Sequence, residues 1–298
     1  MLNHSVTTAE TPVAMKVPEE ESRLKKFWDA FFGNRVAIVS LILLLMIVLS
    51  CLAAPFIAPY DPMEGKVTER LQPIGTPGHI LGTDEQGRDM LSRILYGGRL
   101  SLISGFAPVL IAALIGGLLG VVAGYFGRIL GTVIMRTLDI FYSFPAVLLA
   151  IGISAALGQG MANIIIAIAI VFIPPIARIA ESAVKGVREA EFIEAARSSG
   201  ADHFAIIRHH ILRNIFSKVF VYSTTQISIS LVLASGLSFL GLGVSPPTPE
   251  WGIMLNNLKQ QIFIDPVVAI IPGVFIFLTA LTINLVSDGL RDALEVQE

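Results

Sequence analysis

The sequence is short of charge and almost free of cysteine. Charged residues fill 15% of its 298 positions, against about 25% in an ordinary soluble domain. One cysteine, Cys51, is present. No intrachain disulfide framework can form, and Cys51 sits within an apolar run, where it reads as a small apolar side chain. There is no G-x-x-x-x-G-K-[ST], so the chain has no phosphate-cradling loop of that kind. There is no H-E-x-x-H, and no Cys/His cluster at zinc spacing. His209 and His210 are adjacent, so they point to different sides of a helix and chelate poorly. Nothing arranges Ser, His and Asp for nucleophilic attack. These absences exclude an enzyme acting by itself, and no metal or cofactor is expected in the chain. The net charge of −2 gives no pull toward nucleic acid.

What the sequence has in excess is apolar: 54% of its residues are hydrophobic, and they cluster. A hydrocarbon layer of about 30 Å needs roughly 20 apolar residues per helical crossing. Runs at 36–58, 101–126, 137–157, 162–177, 219–243 and 267–287 approach or reach that length. Each must be helical, because lipid offers no partner to an open backbone. The expected fold class is an all-α integral membrane protein with six transmembrane helices. The chain divides into a polar tail (1–35), a first span (36–58), an external loop (59–100), a core (101–287) and a C-terminal tail (288–298). Residues 1–27 read as a mobile tail. The 36–58 run is too long for a signal segment and ends in Pro55 and Pro59, so it reads as a retained anchor.

Six spans put both termini on one side. Of the 21 Lys and Arg residues, 15 fall on that side and six on the other. The positive-inside rule makes the richer side cytoplasmic. Residues 59–100 are then external, and 185–218 form a cytoplasmic loop.

Within the spans, Gly116, Gly120 and Gly124 lie on one helix face and invite close backbone packing, inside the subunit or against a partner. Pro145, the pair Pro174–Pro175, and Pro272 predict bends. The fifth span is unusually polar, and Ser223, Gln226 and Ser230 share one face. Facing lipid they would be costly. They read either as a wall of a translocation path or as interhelical hydrogen bonding. Asn284 in the sixth span invites the same two readings. Arg136 with Asp139, and Arg178 with Glu181, read as interfacial ion pairs. No acid or base lies deep in a span, which argues against an ion-coupled secondary transporter. Inverted repeats with matching broken helices are not visible either. A membrane scaffold or receptor would explain the spans but not the polar fifth one.

In the external loop, Thr83-Asp84-Glu85-Gln86 has the form of a helix capping box. Met90, Leu91, Ile94 and Leu95 follow as an apolar stripe. An amphipathic helix leading into the second span is expected. It serves as a structural elbow or docks an external partner; Asp84, Arg88, Asp89 and Arg93 are the candidate contacts.

The cytoplasmic stretch EFIEAARSSGADHFAIIRHHILRN (191–214) is of another character. Phe192, Ala195 and Ala196 make one apolar face. Gly200 is the expected C-cap, and Asp202 the N-cap of a second short helix with Phe204, Ile207 and Ile211 as its stripe. The charges balance, with Glu191, Glu194 and Asp202 against Arg197, Arg208 and Arg213. A lipid-binding helix would be strongly basic, so a groove on a partner protein fits better.

Here a family resemblance enters. The pattern E-A-A-x-x-x-G, present as Glu194, Ala195, Ala196 and Gly200, resembles the EAA loop of ATP-binding-cassette importer permeases. The family pattern continues to Ile-x-Leu-Pro; here His210 stands at the Ile position and Arg213 at the Pro. LGTDEQGRDMLSRILYGGRLSL (81–102), SFLGLGVSPPTPEWG (238–252) and DGLRDAL (288–294) resemble the C-type permease subunit of dipeptide, oligopeptide and nickel importers. The likeness covers residues 25 to 295. It implies the type I (MetI-like) six-helix architecture in a bacterial inner membrane, surrounded by lipid. It also implies a homologous second permease subunit, two cytoplasmic ATPase subunits that bind the ATP and Mg, and an external substrate-binding protein. Glu194, Ala195, Ala196, Gly200, Ala201, Asp202, His203 and Phe204 would dock an ATPase, with the coupling helix around Gly200–Phe204. Relatives of this kind handle small peptides, glutathione, opines or nickel complexes; peptides are the expected class.

Overall fold

The computed structural model describes residues 23–263 and 265–295. Most of the expected polar tail, residues 1–22, lies outside the described residues. Its remainder is ordered differently from expectation. Residues Arg23–Gly33 form a helix, α1. Its Phe31 is buried with Ala37 and Ala293, and Phe27 and Leu290 pack on the same cluster. Helix α2 (Arg35–Leu52) begins at Asn34, whose side chain accepts hydrogen bonds from the Val36 and Ala37 amides at 3.1 Å each. This satisfies two of the orphan donors of a helix start. A short turn, α3 (Ala54–Ile57), carries Pro55 in its first turn and ends the span.

The external loop differs from the predicted capping box. Thr83–Gln86 is not a helix start. The Asp84 carboxylate accepts from the Gln86 and Arg88 amides at 2.8 and 2.9 Å, closing a local turn. Gly87 follows at φ +75°, which breaks helical continuity. Helix α4 (Met90–Phe126) starts seven residues later than Thr83. Its cap is Asp89, which accepts from the Ser92 amide at 2.7 Å. The expected amphipathic helix is therefore not a separate element. It is the first turns of a continuous 37-residue helix, about 55 Å long at 1.5 Å per residue, longer than a hydrocarbon layer.

Helix α5 (Arg128–Tyr142) and α6 (Ala146–Leu157) replace the third span and are bent by 88° at the break ending in Pro145. Helix α7 (Met161–Val187) runs through Pro174 and Pro175 as one helix. Helix α8 (Glu191–Ser198) follows. A helical turn, α9 (His203–Ala205), passes through a π-helical stretch (Ile206–Ile211) into α10 (Leu212–Phe239). Helix α11 (Trp251–Leu258) lies between α10 and α12 (Pro266–Glu295). The DGLRDAL motif, expected in a tail, is thus the last part of α12.

The packing fixes the topology. A Cβ on Gly116 would meet Ile173, one on Gly120 would meet Ala177, and one on Gly124 would meet Val184. The numbers rise together, so α4 and α7 run in parallel. Parallel neighbours need a return crossing between them, and α5–α6 is the only chain available for it. The bent pair is therefore a crossing, and with α2, α4, α7, α10 and α12 the spans number six. Both described ends lie at one end of the bundle, because Ala37 and Ala293 share a core cluster.

Apolar residues fill the bundle in three zones along α4. Met90 and Ile94 pack with Trp251, Met254 and Val268 at the Met90 end. Val109 and Ala112 pack with Ile164, Phe172 and Leu237 in the middle. Val121 and Tyr125 pack with Val184, Ile193, Ile206, Ile211 and Ile215 at the Phe126 end. Since lipid tails are as apolar as these side chains, close fit rather than water exclusion holds the middle zone.

Candidate functional site

The site is built from the corner at 191–214, beside the Phe126 end of α4. Helix α8 buries one side chain, Ile193, whereas Phe192, predicted on its buried face, is largely exposed. The helix ends as the sequence implies. Gly200 adopts φ +83°. The Ala201 amide bonds to the Ala196 carbonyl and the Gly200 amide to the Arg197 carbonyl, both at 3.0 Å. These are the two bonds of a Schellman cap, which an L side chain at Gly200 would strain. Asp202 then caps the next helix, accepting from the Ala205 amide at 2.9 Å.

The second helix differs from prediction. It is the start of a long helix continuing to Phe239. Its buried residues are Ile206, Ile211 and Ile215 rather than Phe204, Ile207 and Ile211. The π-helical stretch Ile206–Ile211 inserts a residue into the helical repeat and rotates the apolar face. Arg213 keeps the backbone N–H that a proline would lack, and the helix runs through it unbroken.

The result is a corner fixed from behind and open in front. Ile193, Ile206 and Ile211 anchor it to Val121, Tyr125 and Val184. The Tyr125 hydroxyl and His203 Nδ1 lie 2.7 Å apart, and Arg197 stands over the Tyr125 ring at 5.8 Å. On the open side, Glu194, Ala195, Gly200, Asp202, His203 and Phe204 are exposed, Phe204 at 68%, while Ala196 and Ala201 are half-buried. All eight docking candidates are thus brought to one short corner.

The polar fifth span is placed differently. Ser223, Gln226 and Ser230 are buried within this one chain. Ser230 Oγ donates to the Ser104 carbonyl of α4 at 3.2 Å, an interhelical hydrogen bond. Ser223 Oγ returns to the Val219 carbonyl of its own helix at 2.7 Å. Asn284 is half-buried on α12. The glycine row packs α4 against α7: a Cβ on Gly120 would collide with the Ala177 carbonyl oxygen.

The candidate external contacts are also corrected. Arg88 and Arg93 are each 1% exposed, and Asp84 and Asp89 are buried with them. Arg88 Nε bonds Asp84 at 2.6 Å and Arg88 Nη2 bonds Glu85 at 3.0 Å. Arg93 Nη1 donates to the Pro62 and Pro247 carbonyls at 2.7 and 3.2 Å. Asp89 also receives His79 Nδ1 at 2.9 Å. The charges tie loops 62 and 247 onto α4, and their side chains offer no docking surface. Periodicity did not reveal the ties of Arg93, because Pro62 and Pro247 lie 31 and 154 positions away. Burial raises the Glu85 carboxyl above the usual range, helped by the neighbouring Asp84 charge.

Glu250 and Trp251 were singled out in the sequence only as part of a motif. Glu250 caps α11, accepting from the Gly252 and Ile253 amides at 3.0 Å each, and receives Ser101 Oγ at 3.0 Å. Burial raises its pKa, opposed by those backbone donors. Trp251 Nε1 donates to the Ile94 carbonyl at 3.0 Å. The expected Arg178–Glu181 pair is replaced: Arg178 bonds Asp139 of α5, and Glu181 bonds Lys185 at 2.6 Å.

With this geometry in place, the chain can be compared with known proteins. Residues 116–296 match the family described as the binding-protein-dependent transport system inner membrane component. Residues 22–73 match the N-terminal TM domain of oligopeptide transport permease C. A glutathione transport system permease protein (GsiD) of Pectobacterium atrosepticum is 41% identical over 271 residues, 91% of this chain and 90% of the relative. A di/tripeptide transport system permease protein (DppC) of Pseudomonas aeruginosa is 42% identical over 279 residues, 92% of each. Among solved structures, one described as inward-facing conformations of the MetNI methionine ABC transporter aligns with a TM-score of 0.53 at 18% identity. It covers 68% of this chain and 97% of that one, a likeness of fold.

Proposed function

The chain belongs to the family of inner-membrane components of binding-protein-dependent transport systems, and from that premise we propose that it is the permease subunit of an ATP-driven importer of small peptides, glutathione among them. The substrate class rests on relatives named for glutathione and di/tripeptide transport. The mechanism rests on the corner at Gly200. A capped, exposed turn anchored to α4 and α7 is suited to receive force from a protein groove and pass it to the spans.

In this reading the open face, from Glu194 to Phe204, docks a cytoplasmic ATPase. ATP and Mg are held by two such subunits, and the chain itself binds no cofactor. A homologous second permease completes the path, with Gln226 and Asn284 as candidate wall residues. An external binding protein delivers the substrate. An ATPase can bias the spans only by binding the corner differently in two states; tight binding to both would shift nothing. The termini, which share one end of the bundle with this corner, are cytoplasmic in this reading.

The test is coupled uptake. Affinity purification of the full-length chain from its native membrane is expected to bring down two ATPases and a second permease. In the reconstituted complex, Gly200→Pro, which cannot adopt φ +83°, should retain assembly and basal ATP hydrolysis while losing most substrate uptake. Normal uptake by an assembled Gly200→Pro complex would overturn the coupling role. Transport of opines or nickel complexes in place of peptides would overturn the substrate class alone.

A further inference from the structure

The sequence places an arginine where the backbone favours glycine. Between α4 and α5 the chain turns through Gly127 at φ +56° and Arg128 at φ +45°. Two successive left-handed residues fold α5 back so closely that a Cβ on Gly131 would lie 2.5 Å from the Ala123 carbonyl oxygen. Glycine takes that conformation freely; arginine does so under strain, and such strain clusters at functional positions. The turn opens a cavity of about 440 Å³ between α5 and α7 at the inner end of the bundle.

Its charge is lopsided. Arg128, Arg136, Arg178, Lys185 and Arg188 line it with two carboxylates, Asp139 and Glu181. Asp139 is shared by Arg178 and, at 3.6 Å, Arg136. Glu181 is taken by Lys185. Arg188 bonds the Gly124 carbonyl at 3.0 Å and pairs with Glu189, also at 3.0 Å. Arg128 has no ion-pair partner among the described residues, so the cleft keeps an uncompensated positive charge. Beside it on α5, Ile129 is 81% exposed and Val133 is exposed as well. A cationic cleft flanked by bare apolar side chains at a membrane boundary matches an anion that carries an acyl tail. An acidic peptide would meet the cations but leave the apolar flank unused.

We propose that this cleft binds a phosphate-bearing anion through Arg128 and Arg136, in the form of an anionic phospholipid head group whose chains lie along Ile129 and Val133. A free phosphate ester shares the head-group chemistry, and the experiment separates the two. The proposal does not depend on the transported substrate.

The full-length chain, reconstituted in phosphatidylcholine nanodiscs, is titrated with phosphatidylglycerol or with soluble glycerol 3-phosphate, and its thermal midpoint is followed. Phosphatidylglycerol is expected to raise the midpoint saturably. The Arg128→Gln/Arg136→Gln pair should raise the half-saturating lipid concentration about thirtyfold, roughly fivefold per arginine. Both side chains are exposed, so folding is not at issue. Arg99→Gln, which removes one positive charge near the other end of α4, should leave the titration unmoved, without the roughly fivefold shift expected of each cleft arginine. Saturation by glycerol 3-phosphate at lower concentration than the lipid, lost in the double variant, keeps the site and assigns it to a soluble phosphate ester. An unchanged phosphatidylglycerol response in the double variant, or no difference between wild type in the two lipids, overturns the proposal.

Discussion

Glu250 shows how one side chain can hold a junction between segments. It satisfies two amide donors of α11 and a hydroxyl of α4 at once. Glu250→Ala removes a helix cap, about 1 kcal/mol, and leaves buried donors unpaired, about 1–3 kcal/mol. A loss of roughly 2–4 kcal/mol is expected in detergent unfolding. Glu250→Gln keeps an acceptor oxygen and should lose less. The pH sign follows from burial, which raises the folded pKa above the unfolded value. Glu250 thus contributes stability at low pH that is lost as pH rises from the ordinary glutamate value of about 4.3 toward the folded one. Glu250→Gln should flatten that fall; an unchanged pH profile would show that Glu250 does not cause it. Little of this was legible in the sequence. Gly200 and Asp202 could be read as caps because capping is satisfied within a few residues. The tie of Glu250 to Ser101 and that of Arg93 to Pro247 could not, because those partners lie 149 and 154 positions away.

At the scale of the element, the Phe126 end of α4 and the Leu212 end of α10 work as one piece. The glycine row that the sequence marked for close packing lies against α7. Gly120→Val would drive a side chain into the Ala177 backbone and should destabilise by about 1–3 kcal/mol, as overpacking does. Gly117→Ala, one residue from Gly116 with nothing within 4 Å of its added Cβ, should be neutral or stabilise by about 0.5–1 kcal/mol. Equal unfolding midpoints for the two variants would remove the packing argument. Tyr125→Phe keeps the ring that packs on Val184 and Ile193 and removes only the bond to His203. Its expected effect is a lower ratio of uptake to ATP hydrolysis at unchanged stability, because the corner is then less tightly joined to α4. The π-helical stretch was not legible, since a 3.6-residue period assumes the regular repeat that Ile206–Ile211 breaks.

At the scale of the whole molecule, the number of crossings decides which side each loop faces. Length and apolar content alone allow five spans or six, because α5 and α6 are joined at 88°. The parallel run of α4 and α7 makes the count six, and hydrogen bonding agrees: the Gly160 amide, in the turn after α6, bonds the Leu242 carbonyl in the loop after α10 at 3.1 Å. That turn therefore lies opposite the Gly200 corner. The one native cysteine, Cys51, is buried, so single cysteines can be introduced without removing it. Ile80→Cys and Gln159→Cys should react with a membrane-impermeant maleimide in intact cells. Phe204→Cys should react only after permeabilisation, as the distribution of Lys and Arg requires. Were α5–α6 a re-entrant loop, the two would exchange, Phe204→Cys labelling in intact cells and Gln159→Cys only after permeabilisation, and the parallel packing along Gly116, Gly120 and Gly124 would have no return path to explain it.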